Sequence, residues 1–176
     1  WTPAVHLFTQ SGGKLSFDEE NKVFLPNKYP SEQISIGACN GDFEISEIIK
    51  NLSKNLKEFL KIEQTDFDNI SVDSDYDRSK RNIWLLPSDK PVGKTKPFVD
   101  YQNDATAKDI KLALREGFRS IEHVKRYTTT GMGTDQGKLG NMHALGIIAD
   151  TAGVKMGELG TTTFRPPYTP LTFGTI

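Results

Sequence analysis

Phe98-Val-Asp-Tyr-Gln-Asn-Asp-Ala-Thr-Ala-Lys-Asp-Ile110, running on through Gly117-Phe-Arg-Ser-Ile-Glu-His-Val-Lys-Arg-Tyr-Thr-Thr-Thr-Gly-Met-Gly-Thr-Asp-Gln-Gly-Lys138, decides how the second half of this chain folds. Ala105-Thr-Ala-Lys-Asp109 reads as a capping box with Asp where Glu is usual: Thr106 caps, and Asp109 reaches back to it. The helix that follows, 107–116, buries Ile110, Ala113 and Leu114, and Gly117 is its natural stop. Ser120 can cap a second helix over 121–127, with Ile121 and Val124 turned inward. The loop Thr128–Lys138 leads into a third helix, at about 139–151, carried by Leu139, Met142, Leu145, Ile148 and Ala149, with Gly153 after it. The tail Thr161–Pro170 is extended, because Pro166, Pro167 and Pro170 forbid a helix.

Upstream the pattern changes. Ala4–Phe8 is a short strand candidate. Leu15-Ser-Phe17 and Val23-Phe-Leu25 flank the polar turn Asp18–Asn21 and predict a hairpin, which Pro26 and Pro30 close. Gln33-Ile-Ser-Ile36 alternates polar and apolar, as a half-buried strand does. Ile45, Ile48, Ile49, Leu52, Leu56, Phe59 and Leu60 then recur at three- and four-residue steps, giving a helix with one apolar stripe and Lys50, Lys54, Lys57 and Lys61 off it. Residues 62–97 carry no sustained period. They run from an acidic part (Asp66, Asp68, Asp73, Asp75, Asp77) to the basic, Pro-broken Lys90–Pro97 and read as an exposed connector. The aspartates alternate like Ca²⁺ ligands, but the Gly and closing Glu of an EF-hand loop are missing.

Composition excludes several classes. At 176 residues, with 26% charged residues and a formal net charge of −1, the chain has no basic surplus to attract nucleic acid or an anionic membrane. No apolar run approaches the roughly 18 residues of a spanning helix. Cys39 is the single cysteine, so neither an internal disulfide nor a cysteine-ligated metal site can form, which fits a cytoplasmic setting. The chain begins without Met inside a structured-looking segment, and reads as a piece of a longer protein.

Three places could hold a ligand. Gly37-Ala-Cys-Asn-Gly41 precedes a helix, and its small residues let a phosphate approach bare backbone N–H groups; a plain strand-to-helix turn accounts for it equally. The Thr128–Lys138 loop gathers four hydroxyls and three glycines beside Lys125, Arg126 and Lys138, a composition suited to an anion; the alternative is a long helix connection. His6, His123 and His143 are scattered and form no ligand spacing. No nucleophile–base arrangement or paired carboxylate can be argued, so no catalytic residue is assigned.

Phe98-Val-Asp-Tyr-Gln-Asn-Asp104, Lys125–Lys138, Thr163-Phe-Arg-Pro-Pro-Tyr-Thr-Pro170 and Trp1-Thr-Pro-Ala-Val-His-Leu-Phe-Thr-Gln-Ser-Gly-Gly-Lys-Leu15 closely resemble the α subunits of heterotetrameric sarcosine oxidases. The resemblance implies an α/β plus α fold. Residues 1–61 would be the C-terminal part of an FAD/NAD-type nucleotide-binding domain and 62–97 a linker. Residues 98–160 would be a small helical domain like bacterioferritin-associated ferredoxin, and 161–176 a link toward a folate-binding aminomethyltransferase domain.

It further implies a complex that demethylates sarcosine oxidatively to glycine, using O₂ and tetrahydrofolate and giving methylenetetrahydrofolate and H₂O₂. NAD, FMN, FAD and tetrahydrofolate would be its cofactors, and β, γ and δ subunits the partners. Gly37, Ala38, Gly41 and Asp42 would border the dinucleotide; Thr128, Thr129, Gly131 and Lys138 would face the FMN interface. Related amino-acid dehydrogenases carry four cysteines where this chain has Asp100, Gln102, Asp135 and Gly140. An iron–sulfur cluster needs thiolates, so none is expected here. A subunit of a related methylglycine or amino-acid dehydrogenase, or a purely scaffolding role, are the competing expectations.

Overall fold

In the computed structural model, which describes residues 2–63, 70, 72, 83–165 and 172–175, the chain divides into two units, 1–81 and 82–176. The division falls inside the stretch read as a connector. The acidic run with its Ca²⁺-like spacing and the prolines at 166, 167 and 170 lie outside the described residues.

The first unit opens with helix α1, His6–Gln10, where the sequence predicts a strand. Five apolar-rich residues fit either state, and the inward set decides it. Val5 and Phe8 are buried three residues apart while Leu7 is exposed, which is helical spacing. Thr9 N–H donates to the Val5 carbonyl and its hydroxyl to the His6 carbonyl. The expected hairpin forms from β1, Lys14–Asp18, and β2, Val23–Lys28, antiparallel with Phe17 opposite Phe24. Asp18 organises its turn by accepting the N–H groups of Glu20 and Asn21. Pro26 does not end β2 but pairs with Leu15 beside a register shift, where a missing N–H costs little.

Gln33–Ile36 forms no strand: Ile36 is extended, yet among the described residues no ladder partner lies beside the segment. Helix α2, Ile45–Leu60, matches the predicted stripe, but the stripe is only partly covered. Ile45, Phe59 and Leu60 are each more than half exposed.

The second unit is built around helix α5, Asn141–Ala152. Six consecutive residues, Ala144–Ala149, are buried, so the helix is covered on all sides rather than along one stripe. Helix α3, Ala107–Arg115, packs on α5 and on α4, Ile121–Thr128. Ile110, Val124, Leu145 and Ile148 are the largest of the fully buried side chains. The capping box forms as predicted: the Asp109 carboxylate accepts the Thr106 N–H at 2.8 Å and the Thr106 hydroxyl at 2.6 Å. Gly117, at φ +98°, closes α3 in a Schellman turn, with Phe118 N–H on the Ala113 carbonyl and Gly117 N–H on that of Leu114.

Ser120 takes the cap position of α4, but its carbonyl rather than its hydroxyl serves the helix. Leu139, predicted on the buried face of the third helix, precedes its start and is exposed. Two elements have no counterpart in the sequence pattern. The short pair β3, Phe98–Asp100, and β4, Ala105–Thr106, brackets the turn before α3, and helix α6 spans Met156–Leu159.

The described part of the connector, 83–97, is irregular apart from a 3₁₀ turn at Val92–Lys94, and it belongs to this second unit. Trp84 lies across Gly146 of α5, so close that a Cβ there would enter the indole ring. An exposed helical Gly→Ala change normally stabilises by about 1 kcal/mol. Here Gly146→Ala is expected to destabilise the unit by roughly 1–3 kcal/mol through overpacking, measured by urea unfolding. In a Trp84→Ala background the same change should cost nothing or stabilise.

Candidate functional site

The turn between β3 and β4 holds a carboxylate that the rest of the site is built on. Asp100 is 6% exposed. Its Oδ1 accepts the N–H groups of Gln102 and Asn103 at 2.8 and 2.9 Å, closing its own turn, while Oδ2 accepts the Gly131 N–H at 2.6 Å. Burial acts to raise the carboxyl's pKa. The hydrogen bonds from Gly131, Asn103 and Gln102 outweigh it and hold Asp100 below the ordinary carboxylate value. Gln102 extends the same contact: its side chain exchanges hydrogen bonds with the Thr134 hydroxyl at 3.0 and 3.2 Å and accepts the Asp135 N–H at 3.4 Å. Asp135 in turn accepts the Gly137 N–H at 3.1 Å.

The loop that follows α4 is therefore pinned from outside and filled from within. Asn141, at the start of α5, lies between Gly131 and Gly137, where a Cβ on either glycine would collide with its amide. Its Nδ2 donates to the Thr162 hydroxyl at 2.8 Å. Gly133 is similarly covered by Gln102, and Gly140 by the Val99 carbonyl. The loop's glycines, read from sequence as part of an anion-suited composition, make room for the side chains of Asn141 and Gln102.

The hydroxyls are largely committed as well. Thr128 and Thr130 are buried and bond each other at 2.7 Å, and Thr128 also donates to the Val124 carbonyl. Thr129, at φ +60°, turns its hydroxyl onto the Thr128 carbonyl. Lys138 sits exposed at the loop's end. Of the four residues expected at a flavin interface, Gly131 lines the cleft described next.

That cleft, of about 310 Å³, is bounded by Glu122, Lys125 and Arg126 of α4, by Gly131, Met132 and Gln136 of the loop, and by Arg165. The segment 162–165 brings Arg165 to the cleft and is tied to α4 and the loop. Glu122 accepts the Thr163 N–H at 2.9 Å, Lys125 Nζ donates to the Thr163 carbonyl at 3.3 Å, and the Gln136 amide oxygen accepts the Arg165 N–H at 3.2 Å. Lys125, Arg126 and Gln136 are grouped with the loop by sequence alone, whereas Glu122 and Arg165 are not. Only the fold brings the tail back to α4.

The other predicted segment lies in the first unit. Gly37–Asn40 forms its own 3₁₀ turn, ended by Gly41 at φ +88°, and α2 starts four residues later. Gly41 and Asp42 N–H groups donate to the Ala38 and Gly37 carbonyls, and the Asp42 carboxylate accepts from the Asn51 amide at 3.0 Å. A Cβ on Gly41 would come within 2.8 Å of Leu25. The turn's shape thus serves packing, and its donors at positions 41 and 42 are already used. Among the described residues no three His, Cys, Asp or Glu side chains gather as a metal site would require. No helix there is long and apolar enough to cross a membrane.

With this geometry in view, comparison with known proteins is informative. Residues 94–176 match the sarcosine oxidase A3 domain family. Over 99% of its length the chain is 38% identical to the α subunit of sarcosine oxidase from Rhizobium meliloti (strain 1021). Over its whole length it is 34% identical to the α subunit of the enzyme from Corynebacterium sp. (strain P-1). The chain is similar to sarcosine oxidase α subunits along its whole length. It spans 18% and 19% of the lengths of those two proteins. A shorter match, 34% identical over 73 residues, links 42% of the chain to 16% of an opine oxidase subunit of Rhizobium meliloti (strain 1021). The fold is shared with a crystal structure of L-proline dehydrogenase from P. horikoshii, at TM-score 0.63 and 19% identity over 98% of this chain and 37% of that one. The whole A3 stretch, including Asp100, Gln102, the loop and the cleft, falls inside the matched domain.

Asp100→Asn leaves an amide facing the Gly131 N–H, and is expected to cost about 1–3 kcal/mol at pH 7. A carboxylate with a depressed folded pKa stabilises above its unfolded value and loses that contribution as pH falls through the folded one. The gap between wild type and Asp100→Asn should therefore close below the ordinary value of 3.8. Urea melts across that range check this, and a pH-independent gap would contradict it.

Proposed function

We propose that this chain is part of the α subunit of a heterotetrameric sarcosine oxidase, and that its second unit supports a flavin and subunit interface through the Thr128–Lys138 loop. The observation that carries this reading is the similarity to sarcosine oxidase α subunits along the whole chain, with no segment left unmatched. In this reading the complex demethylates sarcosine oxidatively to glycine, with O₂ and tetrahydrofolate as acceptors. NAD, FMN, FAD and tetrahydrofolate are its cofactors, β, γ and δ subunits complete it, and it works in the cytoplasm. A related methylglycine is the neighbouring possibility for substrate.

Residues 1–61 are then the end of a dinucleotide-binding domain, with Gly37, Ala38, Gly41 and Asp42 at the cofactor's border. The contact there is close approach rather than donation at Gly41 and Asp42, whose N–H groups are internally bonded. Residues 98–160 form a helical domain like bacterioferritin-associated ferredoxin, and 161–176 lead toward a folate domain. Flavin, when bound, supplies the electron acceptor; this chain's residues hold the loop in one conformation and present Gly131 and the basic side chains around it.

An iron–sulfur cluster does not fit this domain. The positions that carry cysteine in related dehydrogenases hold Asp100, Gln102, Asp135 and Gly140, none of which supplies a thiolate. Three of them are engaged with the loop: Asp100 with Gly131, Gln102 with Asp135, and Asp135 with Gly137. This favours the view that a polar hydrogen-bonded clasp does the structural work of the missing cluster.

The scaffold reading has one observation in its favour, the internal use of the Thr128, Thr129 and Thr130 hydroxyls. The two separate in the complete protein purified with its partners. The expected result is flavin absorbance with iron well below one equivalent. A complex without flavin supports the scaffold, and stoichiometric iron bound by this protein contradicts the proposal.

A further inference from the structure

We propose that Asn40 is a site of spontaneous deamidation, where the chain converts an asparagine to aspartate and isoaspartate through a cyclic imide formed with Gly41. Asn40 is the one asparagine in the sequence followed by glycine. The reaction needs the next residue's amide nitrogen to reach the asparagine side-chain carbonyl carbon. Glycine screens that nitrogen least, because it has no side chain. The other asparagines are held differently. The side-chain amides of Asn21, Asn51, Asn55, Asn103 and Asn141 donate to Asp18, Asp42, the Asn51 carbonyl, Asp100 and Thr162. Asn27 is followed by Lys28, whose side chain shields the nitrogen. Asn40 joins a following glycine to a carboxamide that no hydrogen bond holds among the described residues.

Its backbone setting permits the reaction. Asn40 is the last residue of the 3₁₀ turn, and Gly41 has already left that turn at φ +88°. Both residues are partly exposed, so water reaches them. Two bonds restrain the turn: Gly41 N–H to the Ala38 carbonyl and Asp42 N–H to that of Gly37, each 3.2 Å long. The first must open before the Gly41 nitrogen can react, and Leu25, packed against Gly41, hinders that opening. The reaction is therefore gated by local opening of one turn rather than by unfolding of the unit. Once free, the Gly41 nitrogen gives up its proton and bonds to the Asn40 side-chain carbonyl carbon, and ammonia leaves. Water then opens the imide. Attack at the side-chain carbonyl gives aspartate, and attack at the main-chain carbonyl gives isoaspartate, so that overall one water replaces one ammonia. Isoaspartate adds a methylene to the main chain, where Gly41 lies so near Leu25 that one added carbon would stand 2.8 Å from it. The product loosens the turn that leads into α2.

The test ages the full-length protein at neutral and mildly alkaline pH and maps it by mass spectrometry. Isoaspartyl methyltransferase with a labelled methyl donor counts the isoaspartate. Expected is conversion at Asn40 ahead of every other asparagine, faster at the higher pH and slower than in the same protein unfolded in urea. Leu25→Ala, which uncovers Gly41, should speed it at least roughly threefold. Asn40→Gln should remove the methyl label from that peptide. The wild-type map decides the site by itself should Leu25→Ala fail to fold. Asn40 keeping its amide in the folded protein while converting in urea, conversion first at another asparagine, or a folded Leu25→Ala protein that ages at the wild-type rate overturns the proposal.

Discussion

A carboxylate taken out of water must be met by donors, and in this fold one such carboxylate fixes the arrangement of everything near it. Asp100 receives two main-chain N–H groups from its own turn and a third from Gly131, thirty-one residues later. Losing any of these would leave part of that buried charge uncompensated, so the turn and the loop are held in one relation. Gln102, one residue beyond Tyr101, repeats the device with Thr134 and Asp135. The loop in turn sets where Gln136 stands, Gln136 receives Arg165, and so Arg165 is positioned at the basic cleft from Asp100 outward.

Much of this unit could be read from local sequence because its helices are locally coded. Thr106 with Asp109, Gly117 and Gly153 mark helix ends by chemistry that acts within a few residues, and those boundaries stand. The apolar periods of α2 and α3 are equally local. Where sequence misleads, the deciding partner is distant or the segment too short. Ala4–Phe8 is five residues long and fits a strand or a helix until burial of Val5 and Phe8 selects the helix. Gln33–Ile36 has a strand's alternation but gains nothing from it without a ladder.

The candidate site was legible in composition and illegible in role. Threonines and glycines in an eleven-residue loop announce anion binding, yet here the hydroxyls bond one another and the glycines make room for Asn141 and Gln102. The available charge lies on α4 and on the tail, and no local pattern pairs Arg165 with Lys125. Polar side chains at Asp100, Gln102 and Asp135 supply the loop's cross-links.

Amide hydrogen exchange in the full-length protein tests the anchoring role of Asp100 most directly. If Asp100 and Gln102 pin the loop, the Gly131 and Asp135 amides exchange far more slowly than those at exposed positions of the same loop, and Asp100→Asn releases Gly131 toward the exposed rate. Gly131 exchanging as fast as its exposed neighbours in the wild type would contradict it, and would leave the loop without the anchor from which the rest of the site is built.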